Sequence, residues 1–266
     1  MTQSVRPPAV AGMFYPADVA ELRDTIAKYL EKATPAPLTN VRAVIVPHAG
    51  YVYSGVVAAF AYRLLADQPT RPKRIYLLGP AHRAWFAGVA LVNFAAFRTP
   101  LGDMPVDVEQ TQKMAVSGSL FAPLNSPHAP EHCLEVQVPF LQMIYPPIPI
   151  VPILFGDVNP KSVGQRLNQV LEPDDLIIVS SDLSHFHDNE VAHTIDRQFL
   201  DALLAEDEEG VANGEACGQA PALALMVIAR QQGWRPHLLD YRTSGDITGD
   251  RRRVVGYASV AYVEEA

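Results

Sequence analysis

This 266-residue chain lacks most of the features that announce common functions. Only two cysteines occur, Cys133 and Cys217. That is too few for a disulfide framework in a chain of this length, so a reducing compartment is expected. No Cys-x-x-Cys, His-Glu-x-x-His, Gly-x-x-x-x-Gly-Lys or dinucleotide-type glycine fingerprint is present, which leaves the usual zinc, nucleotide and hydride-transfer readings without support. No apolar run approaches the roughly 20 residues of a membrane span, and residues 1–8 have no signal-peptide core. Positive charge is scarce: the formal net charge is −8. Arg251-Arg252-Arg253 is the only tight cationic run, and an apolar strand pattern follows it, so no nucleic-acid footprint is expected. These absences describe a soluble, cytoplasmic protein that binds neither nucleic acid nor membrane.

What is present is apolar material in quantity. Hydrophobic residues make up 48% and charged residues 19%, enough for a large core with no segment polar enough to demand disorder. No internal repeat or low-complexity segment divides the chain, and one domain over residues 1–266 is expected.

Short β-rich runs alternate with helical patterns. Strands are expected near 43–47, 74–79, 89–92, 150–155 and 176–180, with a closing pair near 237–243 and 254–263 joined by a hairpin loop. Asp18 can cap a helix over about 19–32, Ser54 a second, Asp107 one over about 108–117, and Asn159 with Pro160 another. Leu134, Val138, Leu141 and Ile144 mark a short amphipathic helix, and longer ones fit about 189–205 and 219–232. This alternation predicts an α/β fold: three layers, α/β/α, with a mixed central sheet.

Three of the expected strands run into histidine-bearing loops. The first leads through Pro47 to His48, the second through Gly79-Pro80 to His82, the third into Asp182 and His185. Open α/β sheets bind ligands just beyond the carboxyl ends of their strands. Side by side, these strands would bring three imidazoles and a carboxylate to one cleft, suited to metal or acid–base chemistry. Taken singly, each histidine reads first as a loop residue bonded to its neighbours; the repetition favours a site. Asp182 can orient His185 or raise its basicity. His132 and Glu135 stand three apart at a helix mouth and can offer a further imidazole and carboxylate, or Glu135 can simply complement the helix dipole. Cys217, immediately before a helix, is either a soft metal ligand or an inert buried thiol.

In order, Val46-Pro47-His48-Ala49-Gly50-Tyr51, Leu78-Gly79-Pro80-Ala81-His82-Arg83, Glu131-His132-Cys133-Leu134-Glu135, Ser180-Ser181-Asp182-Leu183-Ser184-His185 and Ala216-Cys217-Gly218 resemble the motifs of the Memo family, in prokaryotes also called AmmeMemoRadiSam system protein B. The resemblance runs from Ala11-Gly12-Met13-Phe14-Tyr15-Pro16 to Val255-Gly256-Tyr257-Ala258. It implies a fold similar to the class III extradiol (LigB-like) dioxygenases, whose non-haem iron is held by two histidines and a carboxylate. By that likeness His48, His82 and Cys217 take the ligand positions and His185, with Asp182, the catalytic ones. Tyr51, Phe14, His132 and Glu135 would line the substrate cleft.

A cysteine replaces the carboxylate of the dioxygenases, which moves the site toward copper, zinc or a differently tuned iron and puts ring cleavage in doubt. The resemblance implies either a metal-dependent oxidoreductase acting on a small molecule, or an accessory module that captures a peptide segment or metal. Eukaryotic members are associated with motility signalling and phosphotyrosine-peptide binding. Prokaryotic ones resemble components of a system with a radical S-adenosylmethionine partner. A zinc hydrolase is a third, more distant reading.

Overall fold

The structure, a computed structural model, describes residues 4–115 and 120–265. Twelve strands form among the described residues: β1 (Val5–Arg6), β2 (Val41–Val46), β3 (Arg74–Pro80), β4 (Val89–Leu91), β5 (Ala96–Thr99), β6 (Gly102–Pro105), β7 (Phe121–Pro123), β8 (Ile150–Phe155), β9 (Asp175–Ser180), β10 (His185–His187), β11 (Trp234–Thr243) and β12 (Val254–Glu264). Nine belong to one mixed sheet in which β10, β12, β2, β9, β3, β8, β4 and β7 follow one another and β11 pairs with β12. Strands β2, β9, β3 and β8 pair in parallel, β12 runs antiparallel to β2 and β4 antiparallel to β8, and β7 pairs with β4 in parallel. A separate three-stranded sheet of β1, β5 and β6 lies outside it.

The parallel strands read as unbroken apolar runs because both faces are covered. Along β2, Val44 and Val46 enter one core while Ala43 and Ile45 enter the other, and β3 and β9 alternate in the same way. Helices Val19–Lys32, Tyr51–Ala66 and Val138–Ile144 supply Leu22, Ala58 and Phe140 to the first core. Helices Pro160–Asn168, Asn189–Leu204 and Gln219–Gln232 supply Val163, Leu200 and Leu225 to the second. The expected three-layer α/β/α arrangement with a mixed sheet is what forms. Each fully buried Leu, Ile or Phe contributes roughly 1.5–3 kcal/mol of transfer free energy to this sandwich.

Local signals worked where capping chemistry was explicit. Asp18 accepts from the Ala20 and Glu21 amides, Asp107 from Gln110 and Asn159 from Ser162, each at a helix start. The helix begun at Asp107 spans Val108–Met114, and positions 116 and 117 of the expected span lie outside the described residues. Ser54 is no cap: Gly50 takes that place, and the Ser54 hydroxyl donates back to Ala49 O at 2.8 Å from inside the first turn. The expected hairpin loop contains a short helix, Ser244–Thr248, started by a reciprocal Thr243–Asp246 capping box that the sequence reading passed over.

One core histidine makes the fold sensitive to acid. His128 is buried beneath β4 with Nε2 2.9 Å from Ala90 O, and burial pushes its pKa down to about 3. In the unfolded chain it would titrate near 6.5. Below that pH the unfolded state takes up a proton that the folded state refuses, so stability falls as pH drops from about 6.5 toward 3, by roughly 1.4 kcal/mol per pH unit for this group. Urea midpoints between pH 7 and 5 should decline less steeply for His128→Asn than for the wild type. Equal slopes would show that His128 is not the group refusing the proton.

Candidate metal centre

The carboxyl ends of β2, β9 and β3 lie side by side, with β9 in the middle. His48 leaves the end of β2, His82 the end of β3, and Ser180 closes β9 between them. His132 approaches from the loop ahead of the turn Glu135–Gln137. The three imidazoles gather with ring centroids 5.1 Å apart for His48–His82, 5.4 Å for His48–His132 and 4.8 Å for His82–His132. One nitrogen from each lies within 4.8 Å of one nitrogen from each of the others.

Hydrogen bonds determine which nitrogen of His48 is free. The Ser180 hydroxyl donates its single proton to Cys133 O at 2.6 Å and accepts from Gln137 Nε2 at 2.9 Å. Gln137 is held the right way round, because Tyr62 donates to its Oε1 at 2.7 Å and its Nε2 also donates to Pro47 O at 2.9 Å. His48 Nδ1, 2.9 Å from Ser180 Oγ, must therefore carry the proton, which leaves a lone pair on Nε2. Burial, reinforced by His82 and His132, drives the His48 pKa well below its ordinary value and keeps the ring neutral.

Glu131 orients the other two histidines. Its Oε2 accepts from the His82 amide at 2.6 Å and its Oε1 from the His82 ring Nδ1 at 2.9 Å. The amides of His132 and Cys133 donate to Oε1 at 2.9 and 3.1 Å. His132 Nδ1 lies 3.0 Å from the same oxygen, without the alignment of a hydrogen bond. Burial works to raise the Glu131 pKa, but the close approach of His132 and His82, with the bonds from His82, outweighs it and holds the carboxyl ionised. A carboxylate behind an imidazole in this way fixes the tautomer and makes the outer nitrogen a better donor.

Cys217 reaches the site because Gly218 lets the helix Gln219–Gln232 start against the end of β9. A Cβ on Gly218 would stand 2.7 Å from Ser180 O and 2.4 Å from Ser181 Cβ. Cys217 Sγ lies 3.2 Å from His48 Nε2 and accepts from the Asp182 amide, also at 3.2 Å. Burial raises its pKa, as it does for Cys133. The thiol is therefore protonated, with the lone pair of His48 Nε2 at 3.2 Å and Asp182 O at 3.6 Å both within reach of its proton. A second group of nearby ligand atoms, on His82, Glu131 and Cys133, is not a comparable donor set. There Cys133 Sγ donates to Pro80 O at 3.1 Å and the Glu131 oxygens are engaged by amides and His82.

Several expectations about the surroundings give way to the geometry. Glu135 does not face the cleft: it is buried against Arg6 at 2.6 Å and accepts from Ala9 N, Val10 N and the Tyr15 hydroxyl. Tyr51 is buried in the helical layer and donates to Val136 O at 2.7 Å, while its neighbour Tyr53 lines the cleft. Asp182 does not bond to the His185 ring. Its Oδ1 accepts from the His48 amide at 2.7 Å, and burial raises its pKa despite that bond and the nearby His185.

His185 lies close enough to bear on both His48 and Asp182, and its amide is held by Glu215 at 2.9 Å. Phe14 packs 4.7 Å from the His132 ring and opens onto a cavity of about 610 Å³ that His132 and Asp182 also line. Glu131, Ser180 and Glu215 had carried no role in the sequence reading. The signal available for Glu131 was its place directly beside His132.

Residues 6–261 match the family described as Memo-like protein. Among curated relatives, a MEMO1 family protein of Methanopyrus kandleri is 36% identical over 97% of this chain and 98% of its own length. One from Methanothermobacter thermautotrophicus is 34% identical over 97% and 100%, and one from Archaeoglobus fulgidus 35% over 97% and 99%.

The Glu131 arrangement predicts a measurable cost for a nearly isosteric change. Glu131→Gln would turn an amide NH2 toward N–H donors in a buried place, destabilising the protein by about 1–3 kcal/mol. The same substitution at the exposed Glu190 should shift the urea midpoint little. Equal midpoints for the two variants would show that Glu131 does not organise the loops.

Proposed function

The chain belongs to the Memo family, and from that premise we propose that the cleft holds a non-haem, redox-active metal ion, iron or copper, and that the protein is a metal-dependent oxidoreductase acting on a small molecule. The observation that carries this reading is the convergence of three imidazole nitrogens with the thiol of Cys217 beside them. The donors would be His48, His82, His132 and Cys217. Two metal–nitrogen bonds of about 2.1 Å span at most about 4.2 Å, so the nitrogens, now within 4.8 Å of one another, need only a slight contraction. Three nitrogens and a sulfur suit copper, iron or zinc better than magnesium or calcium.

When bound, such an ion would supply electron transfer and polarise an attached ligand. The protein's own contribution is orientation and proton management. Ser180 and Glu131 keep protons on the inner nitrogens of His48 and His82, leaving their outer nitrogens free to donate. Asp182 fixes the His48 backbone. His185, with no hydrogen-bond partner for its ring among the described residues, is positioned to hold or pass a proton at the ligand.

A metal analysis of protein reconstituted anaerobically with iron or copper tests the donor set. The wild type should retain one ion per chain. His82→Ala should lose it while its metal-free form unfolds near the wild-type temperature, since an exposed loop ligand adds little to core packing. His48→Ala should lose it at an added cost in stability, because its ring is buried and bonded to Ser180. His185→Gln should keep the ion but lose turnover, read as oxygen consumption. Because the metal-free thiol is protonated, binding should also release about one more proton in the wild type than in Cys217→Ser. Metal retained by both histidine variants would mean that the donor set is wrong.

A further inference from the structure

The cavity beside the histidines has one cation on its wall, Arg253, the last residue of the only tight cationic run in the sequence. Arg252 is paired with Asp250 at 2.7 Å. Arg253 has no carboxylate partner among the described residues. Its guanidinium carbon lies 5.1 Å from the centroid of the Phe186 ring.

Phe186 is unusual in its own right. It stands at φ +64°, the left-handed region that a bulky side chain enters only under constraint. The cause is visible in the pairing of β10 with β12: His185 faces Val255 and His187 faces Val254, so Phe186 is an extra, unpaired residue. Such bulges re-aim a side chain and recur next to active sites. The ring is 62% exposed and forms part of the cavity wall with Phe14, Tyr53 and Tyr257. The bulge is tied down from below, because Glu215 accepts from the His185 amide at 2.9 Å and lies 2.9 Å from His187 Nε2.

We propose that Arg253 and Phe186 form an anion-binding subsite of this cleft, and that its ligand is a small organic carboxylate with a flat apolar body. The guanidinium takes the carboxylate as a two-pronged donor, and the aromatic wall takes the body. Arg253 is the one guanidinium on this wall, Asp250 there being engaged by Arg252, and a single guanidinium fork balances one carboxylate charge but only half of a phosphoryl dianion. A cavity of about 610 Å³ fits a small molecule. The proposal rests on the metal-site reading for the chemistry done on the ligand, while the binding claim can be tested without metal.

The test uses the full chain freed of metal, so that a carboxylate cannot report on an ion, and measures binding of benzoate, benzamide and phenyl phosphate by calorimetry. Benzoate should bind at least about tenfold more tightly than benzamide, the loss expected for one charge-assisted pair, and more tightly than phenyl phosphate. In Arg253→Gln the preference over benzamide should shrink to within about threefold. In Phe186→Ala both benzoate and benzamide should weaken. A benzoate preference that survives in Arg253→Gln would place the anion at the histidines and overturn the subsite. Tighter phenyl phosphate would overturn the carboxylate assignment. Absence of any binding to the wild type would overturn both. Loss of metal retention in a separate assay would bear only on the donor set.

Discussion

A buried guanidinium organises the approach to the site. Arg6 has no exposed surface, and its donors are met by Glu135 at 2.6 Å and by the carbonyls of His128 and Glu131 at 2.7 and 2.6 Å, with Phe97 4.7 Å away on its face. Burying such a charge is costly unless every donor finds a partner. The segment from His128 to Glu135 must therefore curl around Arg6, and the same curl turns the Glu131 side chain toward His82 and His132. Glu135 then spends its remaining acceptor capacity on the Ala9 and Val10 amides and the Tyr15 hydroxyl. That contact fastens the loop bearing Phe14 to the same centre. The cleft wall and the histidine support thus share one electrostatic anchor.

The two glutamates of one five-residue motif have opposite duties, and only one of them stands out in the sequence. Spacing lets Glu135 share a helical face with His132 and so offers it either to the cleft or to the helix dipole. The segment starts as a tight turn, Glu135–Gln137, and that face looks inward to Arg6. Glu131, adjacent in sequence to His132, reaches back because its backbone is held by Arg6. A partner more than a hundred residues away decided the matter, and periodicity cannot report such a partner.

The sheet and its histidines were legible for the opposite reason. Apolar runs such as Ala43–Val46 and Ile75–Leu78 admit only buried strands when helices cover both faces, and the loops after them had to emerge at one edge. The capped helices were legible because an Asp or Asn at the start acts within its own turn. Less visible were elements set by tertiary contact: the small sheet of β1, β5 and β6, the bulge at Phe186, and the Ser180 hydroxyl that settles the His48 tautomer. Asp182 was legible as a residue of the cleft but not in its actual partner, since its bond goes to a backbone amide 134 positions earlier in the chain.

The strand order that places β9 between β2 and β3 has a consequence for synthesis. His48 and His82 leave the ribosome early, but the hydroxyl that orients His48 and the thiol beside it come from residues 180 and 217. Until β9 inserts between its two predecessors, the early histidines have neither a fixed tautomer nor a shared cavity. At about 5–20 residues per second, several seconds separate the emergence of His82 from that of Cys217. During that interval the nascent chain lacks the assembled cleft. Any choice among ions by size and ligand preference would fall to the nearly complete fold.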